Sequence, residues 1–236
     1  LKNFTGDHQE AYRLLTARNF HPWEGGEGKA AAQYVIALSG LAKKEMDGKR
    51  FTEAKKLLEK ALVYPENLGE GKLEGSKDND IHYYLGLVNE ALGNAEEADR
   101  NFTMASTGSD EVAGMMYYND QPADMIFYQG LSKYKLGFKA EGNARLYKLI
   151  DFGEQHLRDE MKIDYFAVSF PDFMIFNEDF SKKNRAHCYY VIGLGNLGLG
   201  NVQKAKEAFE KTLSLDPMHL RCRLLLNGLE NENTGL

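Results

Sequence analysis

AHCYYVIGLGNLGLGNVQKAKEAFEKTLSLDP, Ala186 to Pro217, decides the fold. Counting Ala186 as position 1 of a 34-residue unit, Tyr189, Gly193, Gly200, Ala205, Phe209 and Pro217 fall at positions 4, 8, 15, 20, 24 and 32. Two antiparallel helices approach closely only where side chains are small, so Gly or Ala belongs at 8 and 20, and a ring or Leu at 24 fills the gap left between units. A glycine at 15 suits the turn, and Pro217 ends the second helix. The same frame laid over Asn79 to Asp110 puts Leu85 and Gly86 at 7 and 8, Gly93 at 15, Ala98 at 20, Phe102 at 24 and Ala105 at 27. A third copy, Ala123 to Ile150, has Gly130, Gly137, Gly142, Leu146 and Leu149 at 8, 15, 20, 24 and 27.

This spacing resembles the tetratricopeptide repeat. The resemblance implies an all-α, right-handed superhelical solenoid of helix hairpins, a single array over residues 1–236 that works by presenting a surface. Residues 1–18 read as a partial repeat, because Gly6, Asp7, Ala11 and Leu15 match positions 15, 16, 20 and 24; the chain is then expected to be a piece of a longer protein. Full repeats are expected at 30–65, 79–110, 123–150 and 186–217, with a closing helix at 218–230. The first carries Leu41, Ala42, Ala54, Leu58 and Ala61, with Gly48 and Phe51 at the turn and one extra residue between. Residues 151–183 read as an irregular aromatic insertion, in which Gln155 to Lys162 can extend a helix and Ile163 to Phe180 form an apolar arm; it holds Tyr165, Phe166, Phe170, Phe173, Phe176 and Phe180. Rings at that density do not stay in water, so the arm is expected to lie against the solenoid.

A second repeated element is P-x-x-x-G-E-G-K, at Pro22 to Lys29 and again at Pro65 to Lys72. A phosphate-binding loop needs a Gly six residues before its Lys and a Ser or Thr after it; here Trp23 and Ala30, then Glu66 and Leu73, hold those places. The loops are expected to serve linker geometry and local pairs, with Trp23, Glu27, Lys29, Glu70 and Lys72 as candidate contacts for a neighbouring domain. Together with Asp80 to Gly86, the run Asp164 to Phe173, Lys183-Asn184-Arg185 and the last repeat, these loops resemble the C-terminal repeat region of large bacterial proteins that carry an upstream β domain similar to galactose-mutarotase-like sugar-binding domains. That resemblance implies an ancillary region of a carbohydrate-linked parent, and it transfers no catalytic residue.

A net charge of -6 and 27% charged residues leave no basic excess for nucleic acid or an anionic membrane. No apolar run approaches the roughly 18 residues of a membrane helix. Cys188 and Cys222 stand 34 residues apart, one period, so register explains them better than a disulfide; two cysteines fit a reducing compartment or simply a chain that needs no staples, and a cytoplasmic setting is expected. The six histidines form no metal-binding spacing, and nothing resembles a nucleophile elbow or a triad. No metal, cofactor or enzymatic activity is therefore expected.

In tetratricopeptide repeats the first helices line the concave face through positions 2, 5, 9 and 12. Position 5 is Tyr83, Phe127 and Tyr190; position 9 is Leu87, Leu131 and Leu194; position 12 is Glu90, Tyr134 and Leu197. That apolar, aromatic stripe suits an extended or helical segment. The Lys, Asn and Arg by which some such repeats clamp a C-terminal carboxylate are missing. The expected function is a noncatalytic scaffold docking a protein, a peptide or the parent's own upstream domain. The alternative is an ancillary carbohydrate-binding surface using Trp23 and the insertion's rings. The insertion could also fill the stripe itself, leaving it core instead of site.

Overall fold

Four helix ends are closed by one hydrogen-bond pattern in the computed structural model, which describes residues 1–21, 26–115, 121–161 and 179–231. The main-chain N–H of Arg50, Asn94, Phe138 and Asn201 donates to the carbonyl five residues earlier, at 2.8, 2.9, 2.8 and 2.8 Å. The residue just before each, Lys49, Gly93, Gly137 or Gly200, has positive φ and bonds three residues back, which completes a Schellman closure. Side chains reinforce each turn with different chemistry. Arg50 pairs with Glu45, Asn94 and Asn201 donate to Asn89 and Asn196, and Lys133 sits over the Phe138 ring at 5.3 Å.

These closures locate the turn of the first hairpin at Lys49, with φ 56°, and not at Gly48, which has φ -78°. With Lys49 at position 15, Leu41, Ala42, Ala54, Leu58 and Ala61 fall at 7, 8, 20, 24 and 27. The expected extra residue disappears, because a lysine occupies the place that glycine takes in the other three turns.

All secondary structure among the described residues is helical, and the chain divides into two compact units. In the first, Leu1–Ala105, the helices are α1 (His8–Thr16), α2 (Lys29–Asp47), α3 (Phe51–Ala61), a single 3-10 turn (Glu66–Leu68), α4 (Asn79–Ala91) and α5 (Ala95–Ala105). In the second they are α6 (Asp124–Lys135), α7 (Lys139–His156), α8 (Phe180–Gly198), α9 (Val202–Leu215) and α10 (Leu220–Asn231). Within each unit every helix packs on the one before it, as repeat hairpins do.

The 8-to-24 contact is as close as the spacing requires. A Cβ built on Gly86 would lie 2.5 Å from Phe102 Cδ1, one on Gly130 2.9 Å from Leu146 Cγ, and one on Gly193 2.6 Å from Phe209 Cδ1. Phe102, Leu146 and Phe209 are buried accordingly, each burial contributing roughly 1.5–3 kcal/mol. The open end of two hairpins is tied between positions 1 and 27, with the donor on opposite helices. Asn79 Nδ2 donates to the Ala105 carbonyl at 2.7 Å, and Thr212 Oγ1 lies 3.4 Å from the Ala186 carbonyl and 3.1 Å from that of Ala208, its single proton shared between them.

Helix also reaches into both edges of the span read as irregular. Asp151 to His156 continue α7, where Phe152 stacks on His156 at 4.4 Å, and α8 begins at Phe180 under the Asp179 side chain, which accepts from Lys182 N at 2.8 Å. Glycines pull α7 and α8 together: a Cβ on Gly153 would meet the Cys188 carbonyl at 2.7 Å, and one on Gly195 the Leu146 carbonyl at 2.6 Å. The rings of Tyr165, Phe166, Phe170, Phe173 and Phe176 lie outside the described residues.

Candidate functional site

Positions 5, 9 and 12 fall within about 60° of one another on a helix of 3.6 residues per turn, so each trio forms one stripe. On α4, Tyr83 is half-buried between Tyr84, edge-on at 5.5 Å, and Phe102 at 6.1 Å, and that burial pushes its phenol pKa up. Leu87 is partly exposed and Glu90 exposed.

In the second unit the stripe is drawn further into the packing. Phe127 and Tyr190 keep 5% exposure each and Leu194 1%, whereas Leu131, Tyr134 and Leu197 keep contact with solvent. Tyr190 lies between Phe209, at 6.2 Å, and His219, at 4.4 Å. The Tyr134 ring covers Gly142, and its hydroxyl donates to Asn143 Oδ1 at 2.6 Å.

The paired loops meet inside the first unit. Glu70 Oε2 accepts from the main-chain N–H of Gly28 at 2.7 Å, joining the second copy to the first. Lys72 pairs with Asp78 at 2.6 Å and donates to the Leu62 carbonyl at 3.0 Å. Glu27 and Lys29 are exposed, and Trp23 lies outside the described residues. The copies are not equivalent in backbone. Gly28, at the second glycine of the shared pattern, is left-handed and opens α2, whereas Gly69, at the first glycine of the pattern, is left-handed and ends the 3-10 turn. The second copy is also a brace: Asn67 Nδ2 donates to the carbonyls of Leu15 and Arg18 at 2.7 Å each, and Leu68 is fully buried.

Position 2 carries the polar residues that reading positions 5, 9 and 12 passes over. Asp124 on α6, His187 on α8 and Arg221 on α10 occupy this place in successive first helices. Asp124, its side chain 7% exposed, forms an ion pair with Arg221 across 97 residues of sequence. His187 Nε2 donates to the Ala113 carbonyl at 2.9 Å, and its ring meets Phe152 edge-on at 6.2 Å. Burial lowers the His187 pKa to about 4, and burial lowers that of His219 as well. Both imidazoles are therefore neutral at pH 7. The signal for this row was in the sequence, since His187 and Arg221 stand one period apart like Cys188 and Cys222.

The two thiols are buried, and desolvation raises them to about 11 and 12, which removes nucleophilic character. Among the described residues no three His, Cys, Asp or Glu gather where a metal ion could be held, and no helix is long and apolar enough to cross a membrane.

The hairpin of α8 and α9 has the 8-to-24 contact, the left-handed turn glycine and the 1-to-27 tie. Residues 186–219 match the family described as tetratricopeptide repeat. The matched hairpin is the stretch from which the sequence frame was read. Among solved structures, the chain is similar to one titled "Crystal structure of YrrB: a TPR protein with an unusual peptide-binding site". Identity is 17%, covering 85% of this chain and 82% of that one, with a TM-score of 0.28, a superposition too loose to bear on the fold or on binding.

Proposed function

We propose that the chain is a noncatalytic docking scaffold for a protein or peptide, which includes an upstream domain of its own parent protein, and that the first-helix stripes carry the contact. The observation that supports this most is a division of labour on the first helices. Position 8 is given over to hairpin packing, while Leu87 and Glu90 on α4, and Leu131, Tyr134 and Leu197 on α6 and α8, keep contact with solvent one step around the helix. Apolar and aromatic side chains held on rigid helices lose little conformational entropy on docking, which is what a hot spot requires.

The test is a peptide array probed with the full chain and with a Leu131→Glu/Leu197→Glu variant. The reading expects discrete peptides retained by the wild type and lost by the variant. Identical patterns, or saturable binding only to an oligosaccharide, would count against it, the latter in favour of an ancillary carbohydrate surface.

A further inference from the structure

Ser109 to Ala113 crosses the second unit as a strap held by polar contacts and little burial. The Ser109 carbonyl accepts from Gln121 Nε2 at 2.8 Å and Gln129 Nε2 at 3.0 Å. Asp110 pairs with Arg145 and, at 2.8 Å, with Lys148, both on α7. The Ala113 carbonyl accepts from His187 on α8 at 2.9 Å. Ser109, Glu111 and Gly114 are exposed, and no residue from 109 to 115 belongs to the buried core.

Two of the groups that hold the strap are only half used. Gln129 is fully buried, yet its Oε1 has no hydrogen-bond partner, and Arg145 gives Nη1 to Asp110 while its buried Nε has none. An idle buried acceptor and an idle guanidinium edge are costly, and each has an evident complement. A main-chain N–H beside the carbonyl already held by Gln129 would use both ends of that amide. A carboxylate squarely facing Arg145 would take the bidentate grip that Asp110 takes at one nitrogen.

We infer that Gln129, Arg145, Lys148 and His187 form a binding site for an extended acidic peptide segment of a partner protein, and that Ser109–Ala113 is a weak internal occupant which the partner displaces. The carboxylate docks between Arg145 and Lys148, Gln129 reads the main chain just before it, and His187 takes a carbonyl about three residues further on, as the strap's own spacing shows. None of these four residues is among the position 5, 9 and 12 candidates, so this site stands even if the stripes bind nothing.

The test uses a fluorescein-labelled peptide of residues 107–115 added to the full chain, read by fluorescence anisotropy. Saturable binding at least tenfold tighter to an Asp110→Ala chain than to the wild type is expected, with at least a tenfold loss when Arg145→Gln is added or when Asn replaces Asp in the peptide. Equal affinity for wild type and Asp110→Ala, indifference to Arg145→Gln, or no binding to either chain would overturn the site. A second readout needs no variant: the amide resonances of 108–115 in 15N-labelled wild type should move to random-coil positions under excess unlabelled peptide, and unchanged positions would overturn displacement.

Discussion

Gly193→Ala adds one carbon where the second unit has no room for it. The new Cβ would stand 2.6 Å from Phe209 Cδ1, inside the 3.0 Å limit that real Cβ atoms respect, and Phe209 is fully buried. The ring must retreat by about 1 Å into a packed interior, an overpacking cost of about 1–3 kcal/mol. Alanine returns up to about 1 kcal/mol of helix propensity, so a net destabilisation of about 1–2 kcal/mol is expected. Gly228 in α10 supplies the control, since nothing lies within 4 Å of its built Cβ and Gly228→Ala should stabilise by up to about 1 kcal/mol. Urea unfolding followed by circular dichroism measures both changes. Phe209→Leu should relieve the clash, so the Gly193→Ala/Phe209→Leu pair is expected to lose at least about 1 kcal/mol less than the sum of its singles. If Gly193→Ala stabilised the chain as Gly228→Ala does, or if the double-mutant cycle showed no coupling, close packing of 8 against 24 would not be what selects glycine.

Two other predictions concern the turn and the imidazoles. Lys49→Gly relieves the positive φ at the first turn and should raise stability by a few tenths to about 1 kcal/mol, the gain of unfolded-chain entropy being outweighed by the removed left-handed strain; a drop in the urea midpoint would contradict the turn assignment. Because burial holds His187 near pKa 4 and lowers His219 and His8 as well, the unfolded chain takes up protons below about pH 6.5 that the folded chain refuses. Stability should therefore fall as pH drops from 6.5 towards 4, with about 2 kcal/mol traceable to His187 after allowance for its partial contact with solvent. Unfolding curves at pH 7.5 and 4.5 should draw closer by about that amount in His187→Gln, and an unchanged difference would remove His187 from the account.

The hairpin frame was legible because glycine at 8 and a ring or Leu at 24 are read directly from spacing, and Gly86, Gly130 and Gly193 all meet the partner the frame assigns. The first turn was harder. A glycine at 48 drew the eye, while the residue that bends backward is Lys49, whose conformation is imposed by the closing bond from Arg50 to Glu45. The edges of the insertion read differently in the fold: ring density suggested an arm, yet Phe180 opens α8, and Phe152 lies in α7 with its ring against His156 and His187. For the loops, a shared string of letters implied a shared conformation, but the left-handed glycine differs between the copies, and Asn67, outside the shared letters, carries the brace to α1. The position 2 row escaped because charge there changes from Asp to His to Arg, and only folding shows that the first and last are partners.

Docking on the first-helix stripes is the central claim, and the Leu131→Glu/Leu197→Glu comparison on a peptide array bears on it most directly. The account predicts a discrete set of peptides bound by the wild type and released by the variant, with the far-UV spectrum unchanged. A variant that retains the same peptides with the same intensities would contradict it.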